Sequence, residues 1–232
     1  MAARRKAVGP PRVSSRKVAG PPSQVLEVLG YGIAALENIS ARYCIVGGLA
    51  RGYLAEARST KDVDFAVSTE SEDEVDSLIR SLQSSGFVVR EIFQKKDGRV
   101  ATARLTWRHL PVRMDLLFQT SGIERLVVRD AVLLVVLKGV TAPVIRRPHL
   151  IAMKLIAARD QDLIDIGALL DVASSAEVTE VEGALEEIAP AKRKAAVGVW
   201  RALLKRRKAR KPDLFPAPER LKALQRTNPR RK

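Results

Sequence analysis

Asp62 and Asp64 stand in the run Thr60-Lys61-Asp62-Val63-Asp64-Phe65-Ala66-Val67, an apolar segment of strand character. Side chains of a strand alternate between faces, so the two carboxylates point one way while Val63, Phe65 and Val67 point into packing on the other. Carboxylates side by side repel at neutral pH. A divalent cation relieves that repulsion, and hard oxygen donors suit Mg²⁺. Upstream, Tyr43-Cys44-Ile45-Val46-Gly47-Gly48 reads as a strand that ends in a diglycine turn before a helix over Leu49 to Ala55. Without β-carbons, Gly47 and Gly48 let the backbone approach a phosphate, and N–H groups at a helix start face an anion. A phosphate cradle followed by metal-binding carboxylates implies chemistry on a nucleotide. Arg58, Thr60 and Lys61, just before the acidic pair, either add contacts to phosphate or balance the charge of the pair.

This order of blocks resembles the nucleotidyltransferase superfamily, whose signature is Gly-Gly or Gly-Ser, a spacer and Asp-x-Asp. Within it, the chain is most similar to the minimal nucleotidyltransferases of the AbiEii/AbiGii toxin family. The resemblance spans residues 25–175 and implies a third carboxylate on a later strand. Val112-Arg113-Met114-Asp115-Leu116-Leu117-Phe118 fits that slot, with Asp115 on one face beside Arg113 and Leu117 and an apolar row on the other. The resemblance further implies a helical Lys-Leu motif, then an Arg and closely spaced Asp residues, read here as Lys154-Leu155, Arg159, Asp162 and Asp165. If this segment is one continuous helix, Lys154, Ala158, Asp162 and Asp165 line one face.

The reaction that the resemblance implies is transfer of a nucleoside monophosphate from an NTP to an acceptor hydroxyl. Asp62, Asp64 and Asp115 are then the catalytic and Mg²⁺-binding residues, and Gly47, Gly48, Thr60, Lys61, Lys154, Asp162 and Asp165 bind the nucleotide. The implied acceptor is RNA, specifically tRNA, with an antitoxin protein as a further partner. A small-molecule or protein acceptor, and an inactive nucleic-acid-binding relative, are the alternatives.

Other chemistries are poorly supplied. Two histidines, His109 and His149, and one cysteine cannot build a Cys/His zinc cluster or a disulfide framework. His149 reads as a first-turn helix residue, and Cys44 as a buried, inert thiol. No G-x-x-x-x-G-K-[ST] run is present, which argues against a P-loop. No apolar stretch approaches the length of a membrane span, and the basic N-terminus lacks the apolar core of a secretory signal, so a cytoplasmic protein is expected.

The net charge of +15 is unevenly spread. Residues 1–24 carry +6 and residues 192–232 carry +14, which leaves −5 for residues 25–191. Basic, proline-interrupted ends signal attachment to a polyanion such as RNA.

The fold class expected is α/β (α+β), a mixed sheet flanked by helices and followed by a helical C-terminal part. A disordered arm over 1–24, a catalytic core over 25–145, helices over 146–204 and a basic tail over 205–232 make up the expected division. Helices are read over Ser23 to Ala41 and Ser71 to Ser84, the second with a Thr69/Glu72 capping box. Strands follow over Phe87 to Phe93, Val100 to Trp107, Val112 to Phe118 and Val132 to Leu137, with Asp97-Gly98 as a turn. Val181 to Ile188 and Ala195 to Leu204 read as later helices.

Overall fold

The computed structural model describes residues 23–210 apart from 57, 109 and 119–121. The basic segments before residue 23 and after residue 210, and His109, lie outside the described residues.

Helix α1 spans Ser23–Asn38 because Val25, Val28, Leu29, Gly32, Ile33 and Leu36 recur at helical spacing and bury one stripe. Strand β1 (Arg42–Ile45) leads directly into α2 (Gly47–Leu54), two residues earlier than the sequence suggests, so the diglycine forms the first turn of the helix. After β2 (Asp62–Ser68) comes α3 (Glu72–Ser84). Its cap is Ser71, whose hydroxyl accepts the Glu74 N–H at 3.2 Å, not Thr69. The shift follows from β2, which keeps the chain extended as far as Ser68.

A meander of β3 (Phe87–Gln94), β4 (Val100–Trp107) and β5 (Arg113–Leu117) precedes the short α4 (Glu124–Arg129). Strand β6 (Val132–Leu137) then turns through Lys138-Gly139, with Gly139 at φ +75°, into β7 (Val140–Val144). Pro143 hides β7 from a reading of the sequence, since a proline argues against an interior strand. Four helices complete the chain: α5 (Arg147–Ala157), α6 (Asp160–Asp171), α7 (Ser175–Glu186) and α8 (Pro190–Arg210). None of the described helices is long and apolar enough to cross a membrane.

The seven strands form one mixed sheet in the order β3-β4-β5-β2-β1-β7-β6. β2 pairs parallel with β5 and antiparallel with β1, which puts the first acid-bearing strand at the centre of the sheet beside the second. Val63, Phe65, Met114 and Leu116 on these two strands are fully buried, and α1 lies across them. At Gly32 of α1 the approach is so close that a β-carbon would stand 2.9 Å from both Met114 Sδ and the Phe65 ring.

Gly32→Ala is therefore expected to overpack this interface and lower stability by about 1–3 kcal/mol in urea unfolding. Gly198 of α8 is exposed with open space around it, so Gly198→Ala should instead stabilise by about 0.5–1 kcal/mol through helix propensity.

Candidate active site

The register between β2 and β5 sets Asp62 opposite Arg113 and Asp64 opposite Asp115. One strand further out, Arg104 of β4 lies opposite Asp115, and Glu91 of β3 lies opposite Arg104. Charged side chains thus form a lateral row across four strands: Glu91, Arg104, Asp115, Asp64. The geometry within the rows is close. Arg113 grips Asp62 through two bonds of 2.8 Å, and Arg104 grips Asp115 through two of 2.9 Å while its remaining nitrogen reaches Glu91 at 2.7 Å. Paired forks of this kind are among the stronger charge-assisted bonds.

Asp64 differs from its two neighbours. No cross-strand arginine grips it. Burial, then the charges of Asp115 and Asp62, raise its pKa to about 6, against a pull downward from the Gly48 N–H and Lys154. The two glycines are what allow the helix start to come this close. Gly47 has φ +64°, and a β-carbon there would lie 2.0 Å from Asp64 Oδ2. One at Gly48 would lie 2.6 Å from Thr60 Oγ1. Val46 caps α2 without a side-chain hydrogen bond, so the first-turn N–H groups have no side-chain acceptor from the cap.

The Lys154 segment departs from the continuous helix the sequence suggests. Ala158 is left-handed at φ +48°, which ends α5, and α6 restarts at Asp160. The corner itself brings the charges together: Lys154, in the last turn of α5, donates to Asp162 at 3.1 Å and to Asp165 at 2.7 Å in the first turns of α6. Asp162 Oδ2 also accepts the Arg159 N–H at 3.3 Å and Nε at 2.8 Å. Asp165 is completely buried and meets Arg58 at 3.0 Å, Arg51 at 3.6 Å and Gln161 at 3.2 Å. Burial pushes both carboxyls up. Hydrogen bonds and charge from Lys154, with Arg159 on Asp162 and Arg58 on Asp165, outweigh it and hold both below the ordinary carboxylate range.

A cleft opens over these groups in two lobes. The polar lobe, about 610 Å³, is lined by Gly47, Gly48, Arg58, Thr60, Lys61 and the three aspartates, with Arg104, Arg113 and Lys154 among its cations. The second, about 700 Å³, shares Gly47, Asp64, Arg104, Asp115 and Lys154 but is walled by Phe93, Leu117, Leu150, Met153 and Ile156. The residues assigned from the sequence to catalysis, metal or nucleotide all border this cleft except Asp165, which lies beneath it holding Lys154 and Arg58. Among the described residues no set of three or more acids, histidines or cysteines already converges as a metal cage. Two of the three acids are instead turned onto arginines.

Arg104, Glu91, Phe93 and Arg51 escaped the reading of the sequence. A signal existed for Arg104, since Thr102, Arg104 and Thr106 alternate with the buried Ala103 and Leu105 and so share the polar face. Which acid it would meet depends on register, and that is set by the fold. The other two features behave as read: Cys44 is buried with its thiol pKa pushed up to about 12, and His149 sits in the first turn of α5.

A family model described as the AbiEii nucleotidyl transferase toxin of type IV toxin–antitoxin systems matches residues 45–230. A search of the curated proteins finds no match. Among solved structures, the chain is similar to an antigenic nucleotidyltransferase-like protein from Paracoccidioides brasiliensis. The identity is 20% and the TM-score 0.48, over 72% of this chain and 88% of that one. It is also similar to the antibiotic-resistance factor ANT(2'')-Ia, at 13% identity and TM-score 0.48 over 79% and 97% of the two chains. A third is the lincosamide antibiotic adenylyltransferase LnuA with lincomycin bound, at 13% identity and TM-score 0.42 over 63% and 97%.

Lys154→Met would leave Asp165 with its two arginines and Gln161, and Asp162 with Arg159. The expected loss is about 2–3 kcal/mol at neutral pH, below the full cost of an orphaned buried charge because the arginines remain. Lys138→Ala, in the β6–β7 turn, should stay within about 0.5 kcal/mol. Carboxyls held below their ordinary range stabilise the fold above that range and lose the contribution as pH falls through the native values. The difference between Lys154→Met and the unsubstituted protein should therefore shrink in acid, as read from denaturant midpoints across pH.

Proposed function

The chain belongs to the AbiEii family of nucleotidyl transferase toxins and is a nucleotidyltransferase, and on that basis we propose that it moves an NMP from an NTP to a hydroxyl of RNA, with Mg²⁺ in the site. The observation that carries this reading is the trio of carboxylates at adjoining positions of β2 and β5, with Asp64 lacking a cross-strand cation, at the floor of a lobe lined with cations. The donor set fits Mg²⁺. It offers hard oxygens, and burial together with two like charges holds Asp64 in a state that a divalent cation would relieve.

Mg²⁺ held by Asp62, Asp64 and Asp115 would supply charge neutralisation along the triphosphate and acidify the acceptor hydroxyl. The rest of the work falls to the chain. The N–H groups at Gly47 and Gly48, with Arg58, Thr60 and Lys61, bind the β- and γ-phosphates in the polar lobe. Asp115 takes the proton of the acceptor hydroxyl as its oxygen bonds the α-phosphorus and the bond to the pyrophosphate oxygen breaks. Lys154 stands at the junction of the lobes, fixed by Asp162 and Asp165, so it presents a positioned charge without a large ordering cost. Phosphoryl-group chemistry depends chiefly on such alignment, and no covalent nucleophile is required.

RNA is the acceptor we favour because the positive charge of the chain is concentrated outside the core. The segment 192–232 alone carries +14. Exposed Lys192 and Lys194 begin α8, whose residues Lys192 and Ala195 border the apolar lobe. A toxin–antitoxin setting in the cytoplasm, with a cognate antitoxin encoded beside it, completes the reading.

Incubation with each α-³²P-labelled NTP, Mg²⁺ and total cellular RNA should label an RNA band. Asp64→Ala should retain less than about a tenth of that activity at saturating Mg²⁺, and Gly47→Ala should lose it comparably by crowding the same carboxylate. Label appearing only in protein or in a small molecule would overturn the RNA acceptor. Full labelling by Asp64→Ala would overturn the site.

A further inference from the structure

Arg104 has two acidic partners and a role to match. Its fork is bonded to Asp115 inside the cleft, its third nitrogen is bonded to Glu91 on the rim, and its guanidinium lies 5.1 Å from the centre of the Phe93 ring. The exposures run in the same direction: the Glu91 side chain is 53% exposed, Arg104 26% and Asp115 17%. Arg104 also borders both lobes, whereas Arg113, which grips Asp62, borders only the polar one. If Asp115 turns away, Glu91 and the Phe93 face still hold the guanidinium at the junction of the lobes. Two N–H donors then point into the cleft without an acceptor.

We propose that Arg104 is a phosphate-contacting residue of the nucleotide-loaded site: Asp115 occupies its fork while the cleft is empty of nucleotide, and a phosphate oxygen of the donor takes that place when Asp115 turns to a divalent cation. The inference rests on the reading of Asp115 given above. A guanidinium fork matches phosphate as well as carboxylate, so the exchange keeps both charge-assisted bonds. It also makes Arg104 a competitor of the cation. In the absence of nucleotide the arginine and the divalent ion contend for one carboxylate, and once nucleotide is present they hold different anions. Arg104 thereby couples the two binding events, opposing the metal alone and favouring metal with nucleotide.

The whole 232-residue chain tests this through binding alone. Mn²⁺ affinity is measured by paramagnetic resonance without nucleotide, and affinity for the α,β-methylene analogue of each NTP is measured by calorimetry at saturating Mn²⁺. Arg104→Gln should bind Mn²⁺ alone about 5–10-fold more tightly and the preferred analogue about 10-fold more weakly. Arg104→Lys keeps the charge without the fork, so its Mn²⁺ affinity should stay within about twofold of the unsubstituted chain while analogue affinity falls about fivefold. Unchanged or weaker Mn²⁺ binding by Arg104→Gln overturns the exchange with Asp115. Unchanged analogue binding by Arg104→Lys overturns the fork on phosphate. An unsubstituted chain that binds neither Mn²⁺ nor any analogue overturns the proposed function itself, whereas one that binds both with indifferent Arg104 variants overturns only this inference.

Discussion

Three carboxylates at adjoining positions of two paired strands cannot share one face of a sheet without compensation. The charges of Asp115 and Asp62 both raise the pKa of the buried Asp64, which is the repulsion expressed at a single group. The compensation is built into the pairing. β5 brings Arg113 opposite Asp62, and β4 brings Arg104 opposite Asp115, so the charges that balance the acids arrive with the strands themselves. Register is fixed from both sides at once. A slip of one residue would turn Asp115 away from Arg104 and drive Met114 and Leu116, both fully buried, into the cleft.

A second ionic centre locks the helices to this frame. Asp165 gathers Lys154 from α5, Arg51 from α2 and Arg58 from the approach to β2, and it does so without any exposure to solvent. Arg147 closes the same region from another side, donating at 3.0 Å to the Leu54 carbonyl at the end of α2 and also to Glu177 of α7. The diglycine helix, the strand entry and the C-terminal helices are thereby tied to common charges. Because Arg58 and Lys154 border the cleft as well, a buried acid fixes the position of cations that face the cleft.

Residues that act through local pattern were legible in the sequence. The alternation of β2 fixed which way Asp62 and Asp64 point, and the glycines of α2, read as room for a phosphate, stand where a β-carbon would meet Asp64 or Thr60. What the sequence could not carry was pairing between distant segments. Arg104 and Asp115 are linked by an antiparallel register, Arg58 and Asp165 by a tertiary meeting across more than a hundred residues, and neither leaves a periodic trace. The break at Ala158 was hidden for another reason. Alanine is the best helix former, so nothing in its type marks a left-handed residue, and the Lys154 bonds to Asp162 and Asp165 that span the corner join separate helices. β7 was lost to its proline, although the Lys138-Gly139 turn marks the hairpin that contains it.

Charge across the cleft is divided by position. The strand row of Glu91, Arg104, Asp115, Asp64, Asp62 and Arg113 carries four negative charges against two positive ones. Arg58, Lys61, Lys154 and Arg159 line the polar lobe beside it with Asp162, so cations outnumber acids on the wall although the floor is acidic. An acidic floor under a cationic wall follows from which residues the strand register sets side by side, before it follows from any single residue.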